Sequence, residues 1–535
     1  MQNITQFLDR NSEKCSEKVL TFSESKLSFN FSEILEQMSK IADMLLENGF
    51  SKGDRLLIYL NNSPEYLFSY FAAWRLAGIV IPVNRTLTVP EVSYMIEQGG
   101  AEFVITDEEG KKSLEEICKS KNIQVFTDGE IKSRKFERIV PAVLCKPDTV
   151  CQIQYTSGTT GRPKGAMLTH GGWKNALINA GNVLSLTRDD VYLGIYPMCH
   201  VGLVWGIAAL YFCTEFVEME RYNFTDYIKT IDEHKITIAS GMPPVFHSFL
   251  NVSCFSSKDE KGEGKEEKKE KKEKIEIVFL KKSISTVRGM ISGGGVLHHE
   301  IWKPFYDEFK IPIYNAYGLS ETIVVGTGTC ILPDDYPFAD RFQSVGRVTE
   351  NTHLKIVDPD NSDIVLSQGE IGEICLKGPS VALGYWEMPE ESSKTFLEDG
   401  WFLTGDMGYI DSDGRLSIVD RKKEMIVMSG WKIYPNEVES VLLNHPFVSD
   451  AAVFGVSDPH RYEIPIAALI LSETGKSLDF EEISKELTKY CKKNLAPYKI
   501  PRDYYILNTF PRVNGWKLLR KELRLSYEND KTTKS

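Results

Sequence analysis

The 535-residue chain lacks the run of about 20 apolar residues that a membrane-spanning helix needs. Residues 66–83 and 201–219 come nearest. The first holds Arg75, with Pro82 near its end; the second holds Glu215 among several small residues. Both read as buried core elements. The opening residues, Met1-Gln2-Asn3-Ile4-Thr5-Gln6, are polar and lack the apolar centre of a secretory leader. Cysteine is sparse: ten residues are scattered, with no C-x-x-C and no zinc-finger spacing. Reduced thiols in a cytoplasmic protein are therefore expected. Positive charge is also short. The net charge of −12 argues against nucleic-acid binding, which needs a basic footprint.

What remains is a globular composition, 42% hydrophobic, long enough for a large core and more than one domain. Residues 30–49 place Ile34, Met38, Ile41 and Leu45 on one helical face, with Gly49 as a cap. Arg55 to Leu60 reads as a strand. Ser63 then caps a helix that has Pro64 in its first turn and runs to Leu76. Strands follow at Ile79-Val80-Ile81 and Phe103-Val104-Ile105. Such alternation predicts an α/β fold. Thr169, His170 and Trp173 open another helix, with His170 read as structural. Between Lys258 and Lys274 the sequence is almost all Lys and Glu, a solvated insertion with nothing to pack.

One stretch concentrates chemistry: Tyr155-Thr156-Ser157-Gly158-Thr159-Thr160-Gly161-Arg162-Pro163-Lys164-Gly165. A strand, residues 150–155, leads into it. Glycines let backbone N–H groups converge, hydroxyls add donors, and two cations balance negative charge. This suits the phosphates of a nucleoside triphosphate. It is not a P-loop ATPase, because that motif places Lys-Ser/Thr at a helix start with different glycine spacing.

The stretch resembles the signature of the adenylate-forming (AMP-binding) superfamily, in its acyl-CoA synthetase branch. Further phrases resemble that family in the same order. The resemblance implies a large N-terminal α/β domain over residues 1–421 and a small mobile α+β lid over 422–535, hinged near Lys423. It implies adenine contacts at Gly293, Gly294 and Gly295. It also implies them in Asn315-Ala316-Tyr317-Gly318-Leu319-Ser320-Glu321. There Tyr317 would stack on the ring, Ser320 would meet the α-phosphate region, and Glu321 with Thr156 would hold Mg2+. Asp406, in the Gly400–Asp406 phrase, would accept from the ribose hydroxyls, with Arg421 beside it.

Tyr196-Pro197-Met198-Cys199-His200-Val201-Gly202 resembles the acyl-pocket segment. His200, Val201, Trp205 and Met242 are expected there, with Phe246 as a further wall. Amino-acid-activating relatives carry an aspartate near this site. Here His200 stands in its place, which disfavours an amino-acid substrate. Gly430, Trp431 and Lys432 would border the CoA channel, and Asn436 would cap the helix after them. In Pro511-Arg512-Val513-Asn514-Gly515-Trp516-Lys517-Leu518-Leu519-Arg520, Lys517 falls on the catalytic lysine. Val513, Gly515 and Trp516 depart from the family's Thr, Ser and Gly.

The implied catalytic set is Lys517, Thr156, Lys164 and Glu321, with Mg2+, ATP and CoA. The implied activity joins a fatty acid or other apolar carboxylate to CoA through an acyl-adenylate. Two other readings stay open: a luciferase-like oxygenase, and an impaired nucleotide-binding protein, the latter motivated by Trp516.

Overall fold

A computed structural model describes residues 3–156, 162–254, 280–295, 297–331, 344–513 and 517–534. The 258–274 insertion lies outside them.

Local signals set the first elements. The helix Phe31–Glu47 starts at a capping box, in which Asn30 accepts from Glu33 N and Glu33 accepts from Asn30 N. Its predicted apolar stripe, Ile34, Met38, Ile41 and Leu45, is buried. Gly49 follows at φ 89°, the left-handed conformation that ends helices. Ser63 accepts from Tyr66 N at the start of Pro64–Arg75, as its sequence predicts.

Four larger sheets result. A six-stranded sheet runs Gln124–Thr127, Phe103–Thr106, Arg55–Tyr59, Ile79–Pro82, Val150–Thr156, Lys164–Thr169; only its last pair is antiparallel. A nine-stranded sheet has six parallel strands at its centre. Their order is Ile313–Tyr317, Gly289–Ser292, Ile238–Gly241, Val191–Gly194, Glu215–Glu218, Leu20–Phe22. A four-stranded antiparallel sheet comprises His353–Val357, Gly372–Lys377, Phe402–Ile410 and Leu416–Arg421. A five-stranded sheet holds the C-terminal part: Trp431–Ile433, Ile426–Met428, Tyr462–Leu471, Val448–Asp458 and Asp503–Ile506.

The largest core cluster centres on aromatic side chains. Trp74 and Trp173 lie 5.0 Å apart. Each indole N–H is satisfied, to Cys151 O and to Gln152 Oε1, both at 2.9 Å, as buried donors require. Among the described residues no helix is long and apolar enough to cross a membrane. The two apolar stretches become short buried elements, Pro64–Arg75 with Ile79–Pro82, and Val204–Tyr211 with Glu215–Glu218.

His170 opens the helix His170–Leu184 and is 2% exposed. Its Nδ1 accepts from Ile4 N at 3.3 Å. Burial, and secondarily Lys52, lowers its pKa from 6.5 to about 4. The unfolded chain therefore takes up a proton between these values while the native chain does not. Stability from this group is intact above pH 6.5 and falls as pH drops towards 4, by on the order of 3 kcal/mol. Urea midpoints at pH 7 and pH 5 should differ more for the wild type than for His170→Gln. Parallel losses in the two proteins would refute the assignment.

Candidate active site

The phosphate-loop candidate is carried on an antiparallel hairpin. Val150–Thr156 leads in and Lys164–Thr169 leads out, with Thr156 paired to Lys164. A P-loop would open a helix here; this chain opens a strand. Ser157, Gly158, Thr159, Thr160 and Gly161 lie outside the described residues. The exit flank is held by Tyr94. Tyr94 donates to Pro163 O at 3.1 Å, and the Arg162 guanidinium lies 5.6 Å from the Tyr94 ring centroid.

Lys164 faces two partners that sequence reasoning missed. Its Nζ forms an ion pair with Glu391, from the short helix Pro389–Ser393, and sits 5.1 Å from the Tyr385 ring centroid. The Tyr385 hydroxyl donates to Glu321 Oε1 at 3.0 Å. Glu321 is buried, and burial raises its pKa above the ordinary value, opposed by hydrogen bonds from its backbone and from Tyr385. Tyr385 thus stands between the loop's cation and the buried carboxylate. Among the described residues no group of three His, Cys, Asp or Glu could hold a metal ion alone. The oxygen donors Glu321 and Thr156 fit Mg2+, which prefers one or two protein ligands and completes its shell from phosphates and water.

Strand Ile313–Tyr317 delivers Asn315, Ala316 and Tyr317 to the carboxyl edge of the parallel sheet. Gly318 follows, and a Cβ there would lie 2.0 Å from Val324 O, so only glycine permits the turn. Ser320 and Glu321 occupy the 3-10 turn Ser320–Thr322. On the next strand of the same edge, Gly289–Ser292 runs into Gly293, Gly294 and Gly295, with Gly294 at φ 80°.

Tyr317 is anchored. Its hydroxyl donates to Asp406 Oδ2 at 2.7 Å, and Arg421 Nε lies 2.6 Å from Asp406 Oδ1. Asp406 and Arg421 sit opposite each other on paired strands. Burial raises the Asp406 pKa above its ordinary value, and Arg421 and Tyr317 oppose that shift. Both carboxylate oxygens are therefore engaged, each with a second lone-pair site left for a ligand hydroxyl.

In the segment expected to line an acyl pocket, His200 N donates to Pro197 O at 3.0 Å ahead of the 3-10 turn Val201–Leu203. Val201, Met242, Phe246 and Trp205 are buried, and Trp205 belongs to the main core. A carboxylate from elsewhere in the chain reaches this segment. Glu218 is buried at the end of its strand, and Asn62 joins it to the same segment. Asn62 Nδ2 donates to Glu218 Oε1 at 2.8 Å and to Tyr196 O at 3.2 Å. The legible signal was a carboxylate directly after an apolar pair, in Phe216-Val217-Glu218.

In the C-terminal part, Ser429 and Gly430 form a two-residue hairpin turn with φ 50° and 85° between Ile426–Met428 and Trp431–Ile433, as primed turns require. Trp431 is 58% exposed and stacks on Tyr498 at 4.8 Å. Lys432 Nζ is 3.6 Å from Asp360 Oδ2. The Lys423 ammonium lies 3.5 Å from Glu424, and burial lowers its pKa.

Asn436 does not cap its helix. Pro435 begins Pro435–Leu443, so Asn436 falls within the first turn. Its side chain donates to Val419 O at 3.1 Å and its N–H to Asp420 Oδ2 at 2.9 Å. Lys517 pairs with Val513 in a short antiparallel ladder. Its side chain, with Asn514, Gly515 and Trp516, lies outside what is described. Arg520 is structural, held by both Glu439 oxygens at 2.7 and 2.8 Å.

The AMP-binding enzyme family model matches residues 8–386, and the AMP-binding enzyme C-terminal domain matches residues 437–515. Rice (Oryza sativa subsp. japonica) 4-coumarate–CoA ligase 3 is 30% identical over 516 residues, covering 93% of this chain and 87% of the rice protein. The solved structure of o-succinylbenzoate CoA synthetase from Bacillus subtilis, in complex with its acyl-adenylate intermediate, has a TM-score of 0.81. It is 27% identical and the match covers 97% of each chain. The same enzyme with ATP and magnesium ion gives a TM-score of 0.80 at 27% identity, covering 97% of this chain and 98% of that one. The chain belongs to the AMP-binding enzyme family, in the branch that holds these CoA ligases.

Proposed function

We propose that this AMP-forming acid–CoA ligase activates an apolar carboxylic acid in two steps, with the bound nucleotide ordered by Tyr317, Asp406 and Arg421. The observation that carries this reading is that one sheet edge bears Tyr317, held by Asp406 and Arg421 of the four-stranded sheet, together with the Tyr196–Met242 side. Ligands of open parallel sheets bind at that edge.

In the first step the acid's carboxylate attacks the α-phosphorus of ATP, and pyrophosphate leaves. Tyr317 offers its ring to adenine, and Asp406 accepts from the ribose. Lys164 exchanges Glu391 for a phosphate oxygen and stabilises the charge that develops there. Lys517 bridges the acid and the α-phosphate. Glu321 and Thr156 would hold Mg2+, which screens phosphate charge. In the second step the CoA thiolate attacks the acyl carbon and AMP departs. The lid turns between steps, exchanging Lys517 for the Gly430–Lys432 face. The proposed boundary at Arg421/Lys422 is supported by sheet membership: the strand ending at Arg421 belongs to the four-stranded sheet and the strands after it to the five-stranded one.

The acid is an aryl or a fatty acid. The names of the compared enzymes, which specify 4-coumarate and o-succinylbenzoate, favour the aryl class. CoA-dependent AMP release is measured over short, medium, long and aromatic acids. A thioester is the expected product; oxygen uptake without thioester would establish the oxygenase reading instead.

Tyr385 is a positioning residue for Glu321. Tyr385→Phe removes one hydrogen bond to a buried carboxylate, ~1 kcal/mol, so ATP–pyrophosphate exchange should fall about fivefold. The magnesium concentration at half-maximal rate should rise with it. An unchanged magnesium dependence would refute the positioning role.

A further inference from the structure

We propose that Cys15 and Cys213 form a redox modification site, a dithiol that a low-molecular-weight disulfide converts to a cross-link. The site lies away from the nucleotide and acyl residues and stands independently of the ligase reading.

Sheet topology places it. Val191–Gly194, Glu215–Glu218 and Leu20–Phe22 are adjacent parallel strands of the nine-stranded sheet. Tyr317 and the glycine turn lie at the carboxyl ends of this sheet's strands. Cys213 and Cys15 instead precede the amino ends of theirs. The two thiols therefore belong to the edge opposite the catalytic candidates.

The segments that carry them are tied together. The helix Gln6–Ser12 ends shortly before Cys15, whose N–H donates to Asn11 O at 2.9 Å. The buried Asn11 side chain donates to Leu210 O at 2.9 Å and to Tyr211 O at 3.2 Å. Arg10 Nη2 adds a bond to Tyr211 O at 3.1 Å. Leu210 O also accepts from Cys213 N at 3.2 Å. Asn11 thus joins the backbones of both cysteines. Further on, Phe216 N donates to Val19 O at 2.8 Å. Paired strands run ~4.8 Å apart, inside the Cα separation of about 4.4–6.8 Å that a disulfide requires.

Both thiols line a cavity of about 300 Å³, together with Lys18, Arg188 and Glu215. Cys15 is buried and Cys213 half-buried, so a reagent in the cavity meets Cys213 first. Cys213 has φ 61° just after the helix Val204–Tyr211, a conformation that favours glycine; a thiol stands there instead. Cys15 is its side-chain partner. Burial, and then Cys15, push the Cys213 thiol up to about 11, opposed by Arg188 and Arg10. Exchange is therefore slow in both directions, because little thiolate forms to attack and a high-pKa thiol leaves reluctantly. The pair responds to sustained oxidation rather than to a brief pulse. Among the described residues no group of three His, Cys, Asp or Glu could hold a metal ion, so two thiols alone make up the site.

The chemistry is two exchanges. Cys213 Sγ attacks one sulfur of the reagent, forming a mixed disulfide and releasing one small thiol. Cys15 Sγ then attacks Cys213 Sγ and releases the second. The protein gives up two electrons and two protons, and the reagent leaves as two reduced thiols.

The test exposes the full chain to oxidised glutathione at about pH 8.5, where more thiolate forms. The wild type should lose about 2 Da, with no glutathione retained, and peptide mapping should join Cys15 to Cys213. Its thermal midpoint should rise by roughly 2–5 °C, because the cross-link closes a loop of roughly 200 residues. Cys213→Gly keeps the left-handed turn and should show neither change. Cys15→Ser should stop at the mixed disulfide, gaining about 305 Da. A wild type that keeps both thiols free, a glutathione adduct on it that never resolves, or a cross-link mapped to another pair overturns the proposal. If Cys15→Ser does not fold, the wild-type peptide map and Cys213→Gly decide.

Discussion

Lys517→Ala is expected to lower carboxylate-dependent ATP–pyrophosphate exchange by about 100- to 1,000-fold, the usual cost of one missing transition-state charge contact. The reason is electrostatic. The carboxylate and the α-phosphate are both anionic, and only a cation between them lowers the barrier to their approach. Thioester formation from supplied acyl-adenylate should be unchanged, because in the proposed mechanism that step breaks the acyl–phosphate bond after the lid has turned. Equal losses in both half-reactions would refute this division of labour. The neighbours of Lys517 sharpen the test. Trp516 stands where the family has glycine, and Gly515 where it has serine. If exchange is already absent in the wild type over a broad acid panel, the chain binds nucleotide without catalysing the first step.

Asp406→Ala should raise the ATP KM on the order of 10- to 100-fold, since each hydrogen bond to a charged group contributes about 1.5–3 kcal/mol. Two effects add. The ribose loses its acceptor, and Tyr317 loses the bond that fixes its ring. Arg421 also loses its anion, but it is half-exposed and water replaces part of that contact. The fold should therefore survive. Asp406→Asn keeps one acceptor oxygen and should fall between wild type and alanine. A KM for ATP that does not move, with kcat reduced, would place Asp406 in scaffolding rather than nucleotide binding.

Much of this was legible in sequence because the chemistry is local. A glycine-rich turn, a Tyr-Gly-Leu-Ser-Glu phrase or a Ser63-Pro64 helix start acts through backbone within a few residues. Those signals survive without knowing what lies across the fold. The strand into the phosphate loop, the capped helices and the buried apolar stretches followed for the same reason. Asn436 was the exception. Its capping preference is real, but the helix starts at Pro435, two residues earlier than a cap at Asn436 would place it.

Side-chain partnerships across the chain were not legible. Tyr317 meets Asp406 across 89 positions, Tyr385 meets Glu321 across 64, and Lys164 meets Glu391 across 227. Asn62 reaches Glu218 across 156. No periodicity encodes such pairs, because each depends on which strand ends the sheet order brings together. The sequence by itself determined the family, through motifs that act locally. Only the tertiary structure decided that Glu218 is a buried carboxyl joined through Asn62 to the Tyr196–Met198 segment. Burial raises its pKa, and burial is set by which strands pack together rather than by the residues beside it in sequence.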